Sequence, residues 1–308
     1  MLLSILLKEF SQNINELTIW NEKEFSTLGI IASKVRQPMC TFLDSEKFIS
    51  ELPDNVTMLI TTQELGKLVL KTEGVTYGLV IVDNPRHFFF GLHNFLAEKA
   101  DYCRKIEHTA IDPTAEISTL SYISKINVKI GKRVKIEPFV TIYENSEIGD
   151  DCIIRSGAKI GGQGFEFKRT GKEIMSVKHL GGVKIGNNVE IQNNTCIDRA
   201  IYPWDDTCIG DYTKIDNLVH IGHAAKISEN VLIVANAGVG GRTIIEADSW
   251  IGFGATLRNG IRVENNARAN MGSVVTKDVM ENESVTGNFA VPHEKFIRKL
   301  KKENVHLS

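Results

Sequence analysis

His220 and His223 stand three positions apart in DNLVHIGHAAKI, residues 216–227, a run otherwise built mainly of aliphatic and small residues. Histidine takes up or releases a proton near neutral pH, its unperturbed pKa being about 6.5, so either ring is a candidate general base. Either could equally be a solvated residue of a scaffold. Which reading holds depends on the element that carries the pair.

That element announces itself by period. An aliphatic residue recurs at every sixth position in three phased blocks: Ile111 to Ile123, Ile130 to Ile160, and Ile185 to Val263, the last skipping one place between Ile197 and Ile209. Two positions before most of these lies a small or β-branched residue, as at Val183, Thr195, Thr213, Ala225 and Ala255. Inward positions i and i−2 describe a short strand, and the remainder of each hexad describes a corner. Asn, Gly and Asp crowd those corners (Gly186-Asn187-Asn188, Gly210-Asp211), which suits sharp bends and positive φ. The pattern predicts a β-solenoid with three hexads per coil, each residue lying about 4.8 Å beneath the one 18 positions later.

On this frame Ile221 points inward, His220 outward from a strand, and His223 sits two places on, near a corner. Stacking sets Gly241 one coil above His223, where a backbone N–H could hold an oxyanion and a missing side chain would admit a substrate. Its alternative is an ordinary corner glycine. The same rule sets Asp205 one coil below, either orienting the imidazole or solvated at a corner. No histidine stands 18 positions from His220 or His223, so a stacked-histidine metal site is not expected.

Two interruptions break the repeat. Residues 161–184, GGQGFEFKRTGKEIMSVKHLGGVK, carry no hexad and read as an excursion of the kind that lines binding sites. Residues 201–206, IYPWDD, replace one hexad, stay close to the coil and present Trp204 outward. Before the solenoid, TMLITT (57–62) and YGLVIVDNP (77–85) read as buried strands and RHFFFGLHNFLAEKA (86–100) as an amphipathic helix. The expected organisation is a small α/β domain over 1–105, a mainly β solenoid over 106–280, and a short helical tail over 281–308.

Composition narrows the partners. A net charge of −2 recommends no nucleic acid. The five cysteines are widely spaced without a metal-binding pattern and read as thiols of a reducing compartment. No run approaches the roughly 18 apolar residues of a membrane span, and no cleavage site follows MLLSILLKEF, so a cytoplasmic protein without a transmembrane segment is expected.

The hexads resemble those of transferases built on a left-handed parallel β-helix. TFLDSEKF (41–48), GQGFEF (162–167), VEIQNNTCIDRA (189–200), DTCIGDYTKIDNLVHIGHAAKI (206–227) and TGNFAVPHEKFIRK (286–299) resemble, in order, stretches of the UDP-3-O-acylglucosamine N-acyltransferase family. That family adds the second acyl chain in lipid A synthesis. The resemblance implies a homotrimer, a uridine-binding amino-terminal domain, and transfer of an acyl group from a thioester to the amine of a nucleotide-linked amino sugar. No cofactor would be bound; acyl carrier protein or coenzyme A would bring the acyl group as co-substrate.

Residue by residue, the resemblance places the general base at His223 and not at His220, which is left as an inert face residue or a substrate contact; Gly241 remains the oxyanion candidate that stacking supplies. Phe42 and Phe48 would sandwich the uracil, and Ser45 stands where the family usually has Asn. Gly260 stands where it usually has a second histidine. Asp216 and Asn217 could bind sugar hydroxyls or simply form a corner. Lys295, Arg298, Lys299, Lys301 and Lys302 could meet an acidic carrier or the phosphates of coenzyme A, or form a solvated helix face. Alternative readings are an acyl-CoA-dependent N-acyltransferase acting on another nucleotide-diphospho-amino sugar of surface polysaccharide synthesis, and a sugar O-acetyltransferase, whose tail MGSVVTKDVMENESVTGN (271–288) resembles.

Overall fold

The computed structural model describes residues 1–10, 17–71, 77–171, 173–287 and 289–304. Its amino-terminal unit contains α1 (Leu3–Glu9), β1 (Thr18–Trp20), β2 (Thr27–Leu28), β3 (Met39–Leu43), β4 (Val56–Thr61), α2 (Gln63–Val69), β5 (Gly78–Ile81) and α3 (Pro85–Leu96). The strands form one sheet in the order β1-β5-β4-β3-β2, with β1 antiparallel to β5 and the other neighbours parallel. The near-continuous burial of β3 and β4 is what a parallel sheet covered on both faces requires. Helix α3 starts where Asn84 accepts the His87 N–H and Pro85 occupies the first turn. Its Phe89, Phe90, Leu92 and Leu96 pack onto this sheet's core with Leu28, Cys40, Met58, Ile60 and Val80.

From Ala110 onward, two- to four-residue strands build three parallel sheets of nine, eight and eight strands. The isoleucines predicted to point inward do so: Ile136, Ile142, Ile154, Ile160, Ile191, Ile215, Ile221 and Ile233 belong to one continuous core. Register follows the repeat, Ile221 pairing with Val239 and Val239 with Leu257. Every sixth residue from Tyr212 to Asp248 holds a positive φ of 57° to 61°, among them Leu218, Ala224 and Arg242. The coil therefore imposes left-handed corners even on residues that resist them, at about 1–2 kcal/mol each. The tail is a short helix, α4 (His293–Asn304), carrying Lys295, Arg298, Lys299 and Lys301; the side chain of Lys302 lies outside the described residues.

The interruptions alter the stacking more than the hexad phase suggests. Ile148 pairs with Ile185, 37 positions on, because the segment between the coil strands Lys159–Gly162 and Gly182–Ile185, shorter than the expected 161–184, leaves the coil and carries a hairpin of Phe167–Thr170 against Glu173–Ser176. Ile197 pairs with Ile221, 24 positions on, because IYPWDD adds six residues to its coil. The 18-residue rule holds above His223 and fails below it. The register brings Asp198 and Arg199, rather than Asp205, beneath Gly222 and His223.

Both interruptions dock the amino-terminal unit. Trp204 points outward from the coil, as expected, and is covered there by the amino-terminal unit: it stacks on Tyr202 with ring centroids 5.5 Å apart and donates its indole N–H to Leu28 O at 2.9 Å. Arg104 reaches Pro203 O and Asp205 O at 2.8 Å and Asp206 at 2.6 Å. His93 of α3 lies against Tyr202 and bonds Lys178 O at 2.8 Å. Burial holds the His93 ring at about 4, so it docks as a neutral group.

Candidate functional site

His223 is 4% exposed, its ring directly under Gly241. A Cβ on Gly241 would come within 2.8 Å of the ring atoms Cε1 and Nε2. Gly241 is absent from the positive-φ residues; Arg242 supplies the left-handed turn with φ 61°. The glycine is therefore required by the imidazole beneath it and not by the corner. The coil ladder uses the N–H of Gly240 (to Leu257 O, 3.0 Å) and of Arg242 (to His223 O, 2.8 Å). Among the described residues the Gly241 N–H between them meets no protein acceptor, leaving a donor beside the ring.

The excursion closes over this position. Gly164 is seated so that a Cβ there would lie 3.0 Å from Asp198 Oδ2 and His179 Nε2 and 3.2 Å from His223 Nδ1. Two residues on, Glu166 turns inward and places Oε2 at 3.3 Å from His223 Nε2. The contact is off the axis of a good hydrogen bond, so this ring nitrogen has no aligned partner. Lys168 pairs with Glu166 Oε1, and the Arg242 guanidinium is 3.7 Å from Oε2. Burial pulls the Glu166 carboxyl up, but His223, Lys168 and Arg242 outweigh it and hold it down at about 2, a fixed anion.

His179 completes the cluster. Its ring centroid is 5.5 Å from that of His223, Nδ1 lies 3.0 Å from Val177 O, and Nε2 is buried without a partner. Burial and the neighbouring His223 push it down to about 4. Burial pushes Asp198 up, against the pull of His220 and His223. Arg199, next in sequence, anchors the excursion by donating to Gly161 O and to Glu144, both at 2.6 Å. Thr207 ties the floor together: its hydroxyl donates to Asp198 O at 2.6 Å and accepts the Ala224 N–H at 2.8 Å.

The other sequence candidates are spread over the molecule. His220 is exposed, with Nε2 3.7 Å from Asp198 Oδ2, so it borders the cluster. Asp205 pairs with Lys226 at 2.6 Å and not with His223. Asp216 and Asn217 lie at the corner preceding the His220 strand: Asp216 accepts the Ala235 N–H at 3.0 Å, and Asn217 accepts the Asn193 N–H at 3.0 Å. Gly260 lies one coil above Gly241 and so two above His223, its N–H donating to Gly241 O at 3.0 Å. Sequence reasoning did not single out Glu166, His179, Asp198 or Arg242. A carboxylate between two phenylalanines in a repeat-free excursion is the signal that could have found Glu166.

Phe42 and Phe48 line one pocket of about 230 Å³ together with Asp44, Arg86, Ile30 and Ala32. Ser45 is not among its lining residues; it precedes the short 3₁₀ turn Glu46–Glu51. Ile30 and Ala32 also border a cleft of about 410 Å³, whose other wall includes Trp204, Lys226, Arg242 and Gly260. The two hollows thus share a border at Ile30 and Ala32, and Arg242 on the cleft's other wall lies 3.7 Å from Glu166 Oε2. A hollow of about 830 Å³ follows the coil corners at Gly131, Gly149 and Gly186 and holds no histidine. Size alone does not locate the chemistry. Among the described residues no helix is long and apolar enough to cross a membrane.

Comparison with known proteins agrees with the repeat. Residues 127–162 match the family model described as Bacterial transferase hexapeptide (six repeats), and residues 242–277 match Hexapeptide repeat of succinyl-transferase. The chain is 49% identical over 111 residues to the UDP-3-O-acylglucosamine N-acyltransferase of Rickettsia akari (strain Hartford), covering 36% of this chain and 31% of the relative. It is 40% identical over 153 residues to the probable UDP-3-O-acylglucosamine N-acyltransferase 2, mitochondrial, of Arabidopsis thaliana, covering 49% of each. The matched segments thus span between about a third and about half of these relatives. Among solved structures, the UDP-N-acetylglucosamine acyltransferase from Campylobacter jejuni superposes with a TM-score of 0.50 at 23% identity, over 58% of this chain and 70% of that one, a likeness of fold.

Proposed function

We propose that this hexapeptide-repeat protein is an N-acyltransferase that moves an acyl group from a thioester to the amine of a nucleotide-linked amino sugar, with His223 as general base. The observation that carries the reading is the buried His223 ring under the unengaged Gly241 N–H, walled by Glu166, whose partner Arg242 lines a cleft bordering the Phe42–Phe48 pocket. The flat base would lie between Phe42 and Phe48. Lys226 and Arg242 line the cleft between pocket and histidine, where a diphosphate would pass. The sugar amine would then meet His223, which takes its proton as the carbon–nitrogen bond forms, while the Gly241 N–H receives the carbonyl oxygen of the tetrahedral intermediate. A thioester is already activated, so no covalent enzyme intermediate is required.

The relatives' names make a UDP-linked, O-acylated glucosamine the first acceptor to try, and the family resemblance of the sequence makes lipid A synthesis the setting we propose. We further assign a cytoplasmic homotrimer, with acyl carrier protein or coenzyme A as donor. The test incubates the purified protein with UDP- and dTDP-linked amino sugars plus acyl-CoA or acyl carrier protein, and reads products by mass spectrometry. An acyl amide on a nucleotide sugar is the expected product. No transfer to any of these amines overturns the reading, and the mass of the native particle checks the trimer.

A further inference from the structure

The FEF stretch of the excursion is oriented against the usual rule. Phe165 and Phe167 face outward, 86% and 44% exposed, while the carboxylate between them is turned into the protein. Burying an anion costs free energy unless cations and donors surround it. A mere tether would be complete with Lys168 on Oε1. Oε2 is instead left with capacity to accept, 3.3 Å from His223 Nε2 and 3.7 Å from the Arg242 guanidinium. Arg242 also lines the cleft, so the residue that faces Oε2 is one that a ligand in the cleft would touch.

An amine acceptor reaches the site largely as an ammonium ion and must lose a proton before it can attack. We infer that Glu166 selects the acceptor: Oε2 receives the ammonium form of an amine next to His223, so that the protein acylates an amine in preference to a hydroxyl group. This rests on the reading of His223 as the base of acyl transfer. The ammonium first releases one proton through His223 to water. The neutral amine then forms the carbon–nitrogen bond by adding to the thioester carbonyl; as the tetrahedral intermediate collapses the carbon–sulfur bond breaks, and the surplus proton on nitrogen passes through His223 to the leaving thiolate. A hydroxyl acceptor brings no positive charge and forgoes the charge-assisted hydrogen bond, which is roughly twice as strong as a neutral one.

The experiment compares full-length wild type, E166Q, E166D and H223A on two nucleotide sugars that differ only in bearing an amine or a hydroxyl at the accepting carbon. Donors are acyl carrier protein and acyl-CoA, and kcat and KM are measured separately. For E166Q the KM for the amine should rise about 10- to 100-fold, and at least about tenfold more than the KM for the hydroxyl, so the amine preference falls at least about tenfold. E166D, which keeps the charge, should lie between wild type and E166Q. Should E166Q not fold, E166D carries the test through a fall in amine preference of about fivefold. An unchanged preference, or equal loss on both acceptors, overturns the inference. If wild type acylates the amine and H223A does not, such a result leaves the reading of the base standing; if wild type acylates neither acceptor, that reading falls and takes this one with it.

Discussion

The coils above Ile209 and the coils below it use the same strand and corner but dispose of their polar groups differently. Above, strands succeed one another every 18 residues, Ile209 to Ile227 to Ile245 to Val263, and buried hydroxyls are tied off: Thr213 to Ser228 O, Thr243 to Arg258 O and Ser249 to Glu264 O. Below, the steps lengthen to 37 and 24 residues, Ile148 to Ile185 to Ile209. There, or at the seam between the two regions, lie the buried atoms Ser146 Oγ, His179 Nε2, Tyr202 OH and His223 Nε2, which have no hydrogen-bond partner. Regular stacking satisfies polar groups automatically, because each coil presents the same acceptors to the next. Interrupting the stack leaves polar groups in need of a ligand, and buried unsatisfied groups are uncommon enough to mark function. The candidate site occupies the seam: His223 takes its roof, Gly241, from the regular coils and its wall, Glu166 and His179, from the excursion.

If the seam is where the chemistry occurs, the largest effect belongs to His223. H223A should lower kcat by about 10²- to 10⁴-fold, the range for removing a general base, while circular dichroism and particle mass stay those of the wild type. Near-normal turnover would separate the site from the seam. Next comes Gly241→Ala, which pushes a methyl group into the imidazole. Turnover should fall about 100-fold, and stability by roughly 1–3 kcal/mol in denaturant titrations.

A third outcome sharpens the contrast between the interruptions and the coil. His93 and His179 are held at about 4, below the ordinary histidine value near 6.5. Between about pH 6.5 and 4 the unfolded chain therefore binds protons that the folded chain refuses. Their stabilisation is full above pH 6.5 and declines as pH falls through 4, by roughly 2–3 kcal/mol for each. Urea midpoints measured from pH 7 to pH 4 should show the decline, and His93→Gln should flatten it. The smallest effect is reserved for the regular coil: Gly254 has φ 63° with no atom within 4 Å of a Cβ, so G254A should cost only about 1 kcal/mol. Its turnover should match the wild type. A large activity loss there would dissolve the distinction between the two glycines.

Legibility followed periodicity. The inward isoleucines, the corners, α3, and the placement of Gly241 over His223 were all readable, because a six-residue repeat fixes both a side chain's direction and its neighbour 18 positions on. Asp205 was placed wrongly because IYPWDD preserves the hexad phase while lengthening the coil, and phase alone cannot report how many hexads make a turn. The outward direction of Trp204 was readable, but nothing in a hexad foretells that another unit will dock on it. Phe42 and Phe48 line one pocket, and Ser45 between them in sequence is not part of its lining.

By itself, then, the sequence determined the β-solenoid, its inward and outward faces, and the glycine-roofed histidine, since local alternation and a fixed repeat are enough to settle them. Only the tertiary structure decided what surrounds that histidine. Glu166, Lys168 and His179 come from a segment without a repeat, and the distance between such a segment and a coil residue is set by where the chain folds back. The physical reason is that repeats convert sequence separation into spatial separation, and an excursion does not.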